Sequence, residues 1–199
     1  MKKHIIFDFD GVIHDTTNEI YKIHYNILEK ITKEEMFSNV FNKNPREYLK
    51  KFSLERIAKF EKAWEEHYKT LSINPTIKKE LEFLSKKYNL YIISSNNEYN
   101  LDFYLKKNRI SNLFKDVYGS ETHNLKYDKF EILFKKYNLN LSNTIFVTDT
   151  LGYLIEANKF GLKCIAVDFG FHSREKLING NPIKIISDFK EIRKFIPKF

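Results

Sequence analysis

Short apolar runs alternate with helix-patterned stretches along most of this 199-residue chain, and that alternation narrows the fold more than any other feature. His4–Phe9, Leu90–Ser94, Asp116–Gly119, Thr144–Thr148, Lys163–Asp168 and Ile183–Ile186 read as strands. Helical patterns follow over Tyr99–Asn108, Tyr127–Tyr137, Leu151–Phe160 and Phe189–Phe195. A continuous apolar run suits a strand buried on both faces, and repeated strand–helix units place parallel strands side by side with helices over both faces. The expected class is therefore α/β, a Rossmann-like parallel sheet core flanked by helices. Gly11 after a strand and Gly161 after a helix punctuate that reading.

The stretch between the first two strands breaks the alternation. Thr16 or Thr17 can cap a helix whose apolar positions Ile20, Ile23, Ile27 and Ile31 fall at helical spacing. Pro45 sits where another helix can begin, and Ser53–Thr70 reads as a further one. The spacing of Tyr21, Tyr25, Trp64 and Tyr68 predicts packing faces. Pro75, with Asn74 as cap, opens a helix striped by Ile77, Leu81 and Leu84. Residues 16–74 thus read as a small α-helical insertion in a core built from residues 1–15 and 75–199.

Several function classes are disfavoured. No apolar run approaches membrane-spanning length, and the one that follows Met1-Lys2-Lys3 is interrupted by Asp8, too early for a signal peptide. The single cysteine, Cys164, lies in an apolar run and fits a buried thiol in a reducing compartment. The formal net charge is +8, but its lysines are scattered in pairs such as Lys86-Lys87 and Lys135-Lys136, as on ordinary solvated helices. The expectation is a cytoplasmic protein with no nucleic-acid or membrane partner.

In such sheets ligands bind beyond the carboxyl ends of the strands. The polar residues there are Asp8 and Asp10 after the first strand, Ser94, Ser95 and Asn96 after the second, and Asp149 after the Thr144–Thr148 strand, with Lys126 in a loop before a helix. Their chemistry is that of phosphoryl transfer, which needs a nucleophile, a proton donor and positive charge around the phosphate oxygens. Asp8 can attack phosphorus and become an aspartyl phosphate. Asp10 can protonate the leaving oxygen and then activate water. Mg²⁺ held by Asp8 and Asp149 can screen carboxylate from phosphate. Ser94 can hydrogen-bond a phosphoryl oxygen, with Ser95 as its neighbouring competitor. Lys126 can neutralise the nucleophile and the phosphate, with Lys129 as the competing lysine.

The order of these residues resembles the haloacid dehalogenase (HAD) superfamily. Asp8-Phe9-Asp10-Gly11 looks like its first motif, Tyr91-Ile92-Ile93-Ser94-Ser95-Asn96 its second, Lys126 its third and Phe146-Val147-Thr148-Asp149 its fourth. Each motif is weak alone; four in order are a strong signal. The resemblance implies that the insertion is a mobile cap and that the Asp10 backbone carbonyl joins Asp8 and Asp149 as a metal ligand. It implies a small phosphorylated metabolite as substrate, in a phosphoglycolate phosphatase-like enzyme or, alternatively, a phosphomutase of the β-phosphoglucomutase type. Dehalogenases of the family lack the second aspartate, so Asp10 favours phosphoryl transfer.

One position departs from the pattern. Where the fourth motif often carries a second acidic residue, this chain has Tyr153. Asp15 or Glu156 would have to substitute, or a water would fill the Mg²⁺ position. The departure leaves open weaker metal binding or a non-catalytic HAD-like binding protein.

Overall fold

The computed structural model of the chain describes residues 3–42 and 45–196. It begins with strand β1 (His4–Phe7), then helices α1 (Thr17–Ile27), α2 (Lys33–Phe41), α3 (Pro45–Leu49), α4 (Leu54–Thr70) and α5 (Pro75–Lys87). Alternation follows: β2 (Asn89–Ile93), α6 (Glu98–Lys107), β3 (Phe114–Tyr118), α7 (Lys126–Tyr137), β4 (Thr144–Thr148), α8 (Leu151–Phe160), β5 (Lys163–Val167), α9 (Arg174–Ile178), β6 (Lys184–Ile186) and α10 (Ile192–Phe195). The strands form one six-stranded sheet in the order β3-β2-β1-β4-β5-β6, and every pairing is parallel. This is the expected α/β class.

Strand alternation divides the core into two layers. Ile5 and Phe7 point to one face and pack with Leu81 and Leu84 of α5 and Leu101 and Tyr104 of α6. Ile6 points to the other, with Phe130 and Leu133 of α7 and Leu154 and Ala157 of α8. All of these side chains are fully buried, which removes about 1.5–3 kcal/mol worth of apolar surface from water per large side chain. Two-sided burial is why the strands read as continuous apolar runs and not as alternating ones.

Several boundaries differ from the sequence reading. β1 ends at Phe7, two residues before the expected Phe9. Asp8 adds one ladder bond, from its N–H to Val147 O at 2.8 Å, and the chain then turns away. Gly11 makes that turn at φ +78°. β3 starts at Phe114 and not at Asp116, and Lys126 is the first residue of α7 rather than a loop residue. α1 stops at Ile27, because Thr32 and Glu35 form a reciprocal capping box that starts α2 anew and leaves Ile31 in the connection. α1 is not capped by a threonine side chain; Asp15 Oδ1 accepts from Thr17 N at 3.0 Å and from Thr17 Oγ1 at 2.7 Å. The cap expected at Asn74 is present, and Ser53, read as the first residue of a helix, is the N-cap of α4 instead.

Helices α1–α4 meet the core at the carboxyl edge of the sheet. Phe41 of α2 stacks on Phe171, in the loop after β5, with centroids 4.0 Å apart, and Phe37 meets the same ring edge-on at 5.0 Å. The expected insertion, residues 16–74, includes Lys43 and Asn44, which lie outside the described residues. None of the described helices is long and apolar enough to cross a membrane.

Candidate active site

The sheet order reverses direction at β1, with β2 on one side and β4 on the other, and the crevice above such a switch point is where open α/β sheets bind ligands. Asp8 lies one residue past β1 and Asp149 one residue past β4, so the topology alone brings the two carboxylates to the same rim. A cavity of about 880 Å³ opens there. Asp8, Asp10, Ser94, Ser95, Asn96 and Asp149 line its core side, while Phe41, Leu49, Phe60 and Trp64 line the side made by α2–α4.

Asp8 is buried and accepts three hydrogen bonds. Lys126 Nζ donates to Oδ1 at 2.6 Å, the backbone N–H of Phe9 to the same oxygen at 2.8 Å, and Thr148 Oγ1 to Oδ2 at 3.0 Å. Lys126 also donates to Ile93 O at 2.6 Å, which pins its ammonium between β1 and β2. Both groups are fully desolvated, so the pair depends on this complete set of partners.

Asp10 faces the cavity and is held from two directions. Asn96 Nδ2 donates to Oδ2 at 3.1 Å, and the Tyr68 hydroxyl donates to Oδ1. Burial pushes its carboxyl up to about 6; the two hydrogen bonds pull the other way, and the charge of Asp8 adds to the rise. A carboxyl poised there exchanges a proton near neutral pH.

Asp149 is fully buried in a pocket cleared by two glycines. A Cβ on Gly11 would come within 2.0 Å of Asp149 Oδ2, and one on Gly170 within 2.2 Å of the same atom. Oδ2 accepts from Phe171 N at 2.8 Å, whereas Oδ1 is buried with no hydrogen-bond partner. Burial, and then the charge of Asp8, push this carboxyl well above the usual carboxylate range. An unpaired buried carboxylate oxygen beside a second carboxylate is what a hard cation relieves. Among the described residues no three His, Cys, Asp or Glu side chains gather as a metal cluster. A pair of carboxylates nonetheless suits Mg²⁺, which keeps waters and phosphate oxygens as its other ligands. Asp149 does not cap α8: the cap position is Thr150.

Ser94 Oγ accepts from Asn96 N at 3.0 Å, folding the end of β2 into a tight polar turn. Lys129, the competing lysine, is as buried as Lys126 and donates to Ser94 O at 2.5 Å. Burial, and then the neighbouring charge of Lys126, lower it to about 7. Geometry therefore separates the two lysines: Lys126 holds the Asp8 carboxylate and Lys129 the backbone of the serine turn.

Residues 5–167 match the haloacid dehalogenase-like hydrolase family, more than half of the chain. The chain belongs to this family. No curated protein matches it. Solved structures share its fold throughout. A haloacid dehalogenase-like hydrolase from Streptococcus pneumoniae is 20% identical, covers 98% of each chain and superposes with a TM-score of 0.81. A protein from Haemophilus somnus, described as a predicted phosphoglycolate phosphatase, is 19% identical over 97% of each chain, TM-score 0.73. A provisional β-phosphoglucomutase from Thermotoga maritima is 18% identical over 98% of this chain and 99% of its own, TM-score 0.74. At these identities the likeness is one of fold.

In this haloacid dehalogenase-like chain neither Asp15 nor Glu156, the two residues considered in place of the usual second acid, lines the cavity. Asp15 is engaged with Thr17, and Glu156 accepts from Tyr127 N at 3.0 Å, at the start of α7. Tyr153 instead sits with its ring centroid 4.0 Å from Lys126 Nζ and its hydroxyl 2.6 Å from Ser95 Oγ. Sequence reading missed Thr148 and Tyr68 as site residues and kept Lys129 only as a competitor for the role of Lys126. Thr148 ends an apolar strand and Lys129 sits one helical turn after Lys126, so both carried a positional signal. Tyr68 carried none, because only folding brings α4 to Asp10. His14 lies near the site but binds Tyr104 OH at 2.9 Å, and Arg174 pairs with Asp168 at 2.7 Å near the surface.

Proposed function

We propose that this chain is a Mg²⁺-dependent phosphatase that hydrolyses a small phosphate monoester through an aspartyl phosphate on Asp8. The observation that carries the reading is the pairing of two unlike aspartates two residues apart. Asp8 is held as an acceptor by Lys126, Thr148 and a backbone N–H, while Asp10 sits at about 6 with its oxygens turned to Tyr68 and Asn96. Two carboxyls whose environments separate them in this way divide into nucleophile and proton carrier.

The Asp8 carboxylate attacks phosphorus, the bond from phosphorus to the leaving oxygen breaks, and that oxygen takes the proton of Asp10. Asp10, now a carboxylate, removes a proton from water; the water oxygen bonds to phosphorus and the Asp8–phosphorus link breaks, which returns both aspartates to their starting forms. Ser94, Ser95, Asn96 and Lys126 bind and orient the phosphoryl oxygens. Asp8, Asp149 and the backbone carbonyl of Asp10 would hold Mg²⁺, which supplies positive charge against the approach of carboxylate to phosphate.

Residues 16–74 act in this reading as a cap over a core of residues 1–15 and 75–199. Support comes from the cavity wall they supply and from Tyr68 reaching Asp10. A cavity of about 880 Å³ exceeds one phosphate and leaves room for an organic body among Phe41, Leu49 and Trp64. The same room favours a second reading, a mutase that keeps a sugar phosphate in place. The buried lone thiol of Cys164 fits work in the cytoplasm.

The test is phosphate release from p-nitrophenyl phosphate and a panel of phosphate esters, with Mg²⁺ and with EDTA, for the natural chain and Asp8→Asn. Metal-dependent release that Asp8→Asn abolishes is the expected result. Isomerisation of a sugar phosphate with little release would move the assignment to a mutase, and neither activity would reject catalysis by phosphoryl transfer.

A further inference from the structure

The residue four positions after Asp149 is where the chain departs from the acidic pattern of its family, and the structure puts that residue at a junction. Tyr153 lies on the first turn of α8, is 5% exposed and borders the cavity. Its ring covers Lys126 Nζ, with the nitrogen 4.0 Å from the centroid. Lys126 spends two of its N–H groups on Asp8 Oδ1 and Ile93 O, and the ring face stands beside the ammonium as a further, non-oxygen partner. At the far end of the same ring the hydroxyl meets Ser95 Oγ at 2.6 Å, in the turn after β2. Burial, and then the charge of Asp8, hold the phenol far above its ordinary range, so the side chain adds no negative charge.

These contacts differ in kind from those a carboxylate would make. A carboxylate at this position would compete with Asp8 for the protons of Lys126 and place a third negative charge beside Asp8 and Asp149, where a phosphate must enter. An aromatic face attracts the ammonium through its quadrupole and takes no proton from it. The hydroxyl meanwhile ties the turn after β2 to the first turn of α8.

We propose that Tyr153 is a positioning residue of the phosphoryl site, its ring fixing Lys126 on Asp8 and its hydroxyl fixing Ser95 for the phosphate. The proposal rests on the phosphatase reading above. It assigns separate tasks to the two ends of one side chain: the ring serves the transfer step and the hydroxyl serves binding.

The test uses the full chain and the variants Tyr153→Phe and Tyr153→Leu. It reads kcat and KM on the best ester of the panel, and inorganic phosphate binding by calorimetry. Tyr153→Phe keeps the ring and is expected to raise KM about fivefold, the value of one lost hydrogen bond, with kcat nearly unchanged. Tyr153→Leu loses both ends and is expected to lower kcat about tenfold as well, and to weaken phosphate binding. A side chain that merely fills space would not split KM from kcat in this way. Unchanged KM in Tyr153→Phe together with unchanged kcat in Tyr153→Leu overturns the proposal. Should Tyr153→Leu not fold, the KM of Tyr153→Phe decides alone. If the natural chain shows no Asp8-dependent turnover, the phosphatase reading fails by itself. Calorimetry then decides the role of Tyr153, and equal phosphate binding in all three proteins, or none in the natural chain, overturns it.

Discussion

The hydroxyl of Tyr68, at the end of α4, donates to the carboxylate of Asp10, just past β1, across a separation of 58 residues in the chain. The bond joins the helical segment to the aspartate proposed as proton carrier. With Asn96 on the other oxygen, it leaves Asp10 one donor from each side of the cavity.

Tyr68→Phe removes the donor that opposes the rise in Asp10. The Asp10 carboxyl, at about 6 in the natural chain, then moves higher. In kcat/KM the protonated form is the active one, because the leaving oxygen needs the proton. The alkaline limb is expected to shift upward by roughly one pH unit, from the loss of one hydrogen bond to a charged group. The check is a pH–rate profile on an alkyl phosphate, whose leaving group cannot depart without that proton. An unshifted limb would break the link between Tyr68 and the acid.

Gly170→Ala places a methyl 2.2 Å from Asp149 Oδ2 and 2.5 Å from its Cβ, both in a fully buried pocket. Contacts this short cannot stand, so Asp149 or the loop that carries Gly170 must shift. We expect activity at saturating substrate to fall by about a hundredfold or more, with a higher Mg²⁺ requirement for what remains. Far-ultraviolet circular dichroism should still report the α/β core. Kinetics and Mg²⁺ titration matching the natural chain would show that the pocket is not needed in this shape.

Phe171→Ala tests whether α2 steadies the same carboxylate. The Phe171 backbone N–H holds Asp149 Oδ2 at 2.8 Å, and its ring is stacked on Phe41 and met edge-on by Phe37. Losing a buried aromatic ring is expected to cost about 3 kcal/mol in urea denaturation. Mg²⁺ activation should also weaken, by about tenfold, as the loop loosens. A stability loss with unchanged Mg²⁺ dependence would confine Phe171 to packing.

Stability should fall as the medium is acidified through the histidine range. His24 and His172 are buried, and burial lowers each to about 4. The unfolded chain therefore binds protons on these rings below about 6.5 while the folded chain does not. Their contribution is complete above that pH and is lost progressively as pH falls toward 4, by on the order of 3 kcal/mol for each ring. His172 takes Leu151 N at 2.9 Å on Nδ1 and gives Nε2–H to Phe37 O at 3.2 Å, so charging it breaks the tie between α8 and α2. Melting temperatures between pH 7 and pH 4 should drop less steeply in His172→Asn, and equal slopes would remove this histidine from the account.

Much of the fold was legible because a parallel sheet buried on both faces leaves a plain trace. Ile5, Ile6 and Phe7 are apolar in succession since each face of β1 needs its own layer. Strand ends were harder to place. Phe9 is as apolar as the strand before it, yet it belongs to the turn, because Gly11 swings the chain out of the sheet. The helical segment was legible as helix but not in its breaks: Ile31 continues the spacing of α1, and the Thr32–Glu35 box overrides it.

The sequence by itself determined the α/β class, the order of the acidic, serine and lysine positions along the chain, and the departure at Tyr153. These follow from local patterns, since period, punctuation and motif order are properties of neighbours in the chain. The tertiary structure decided which of two lysines meets Asp8, that Tyr68 reaches Asp10, that Gly11 and Gly170 both clear space for Asp149, and that Tyr153 spans Lys126 and Ser95. Each of these is a contact between segments far apart in the chain. Side-chain direction there is set by helix phase and by packing against the sheet, which no local pattern encodes.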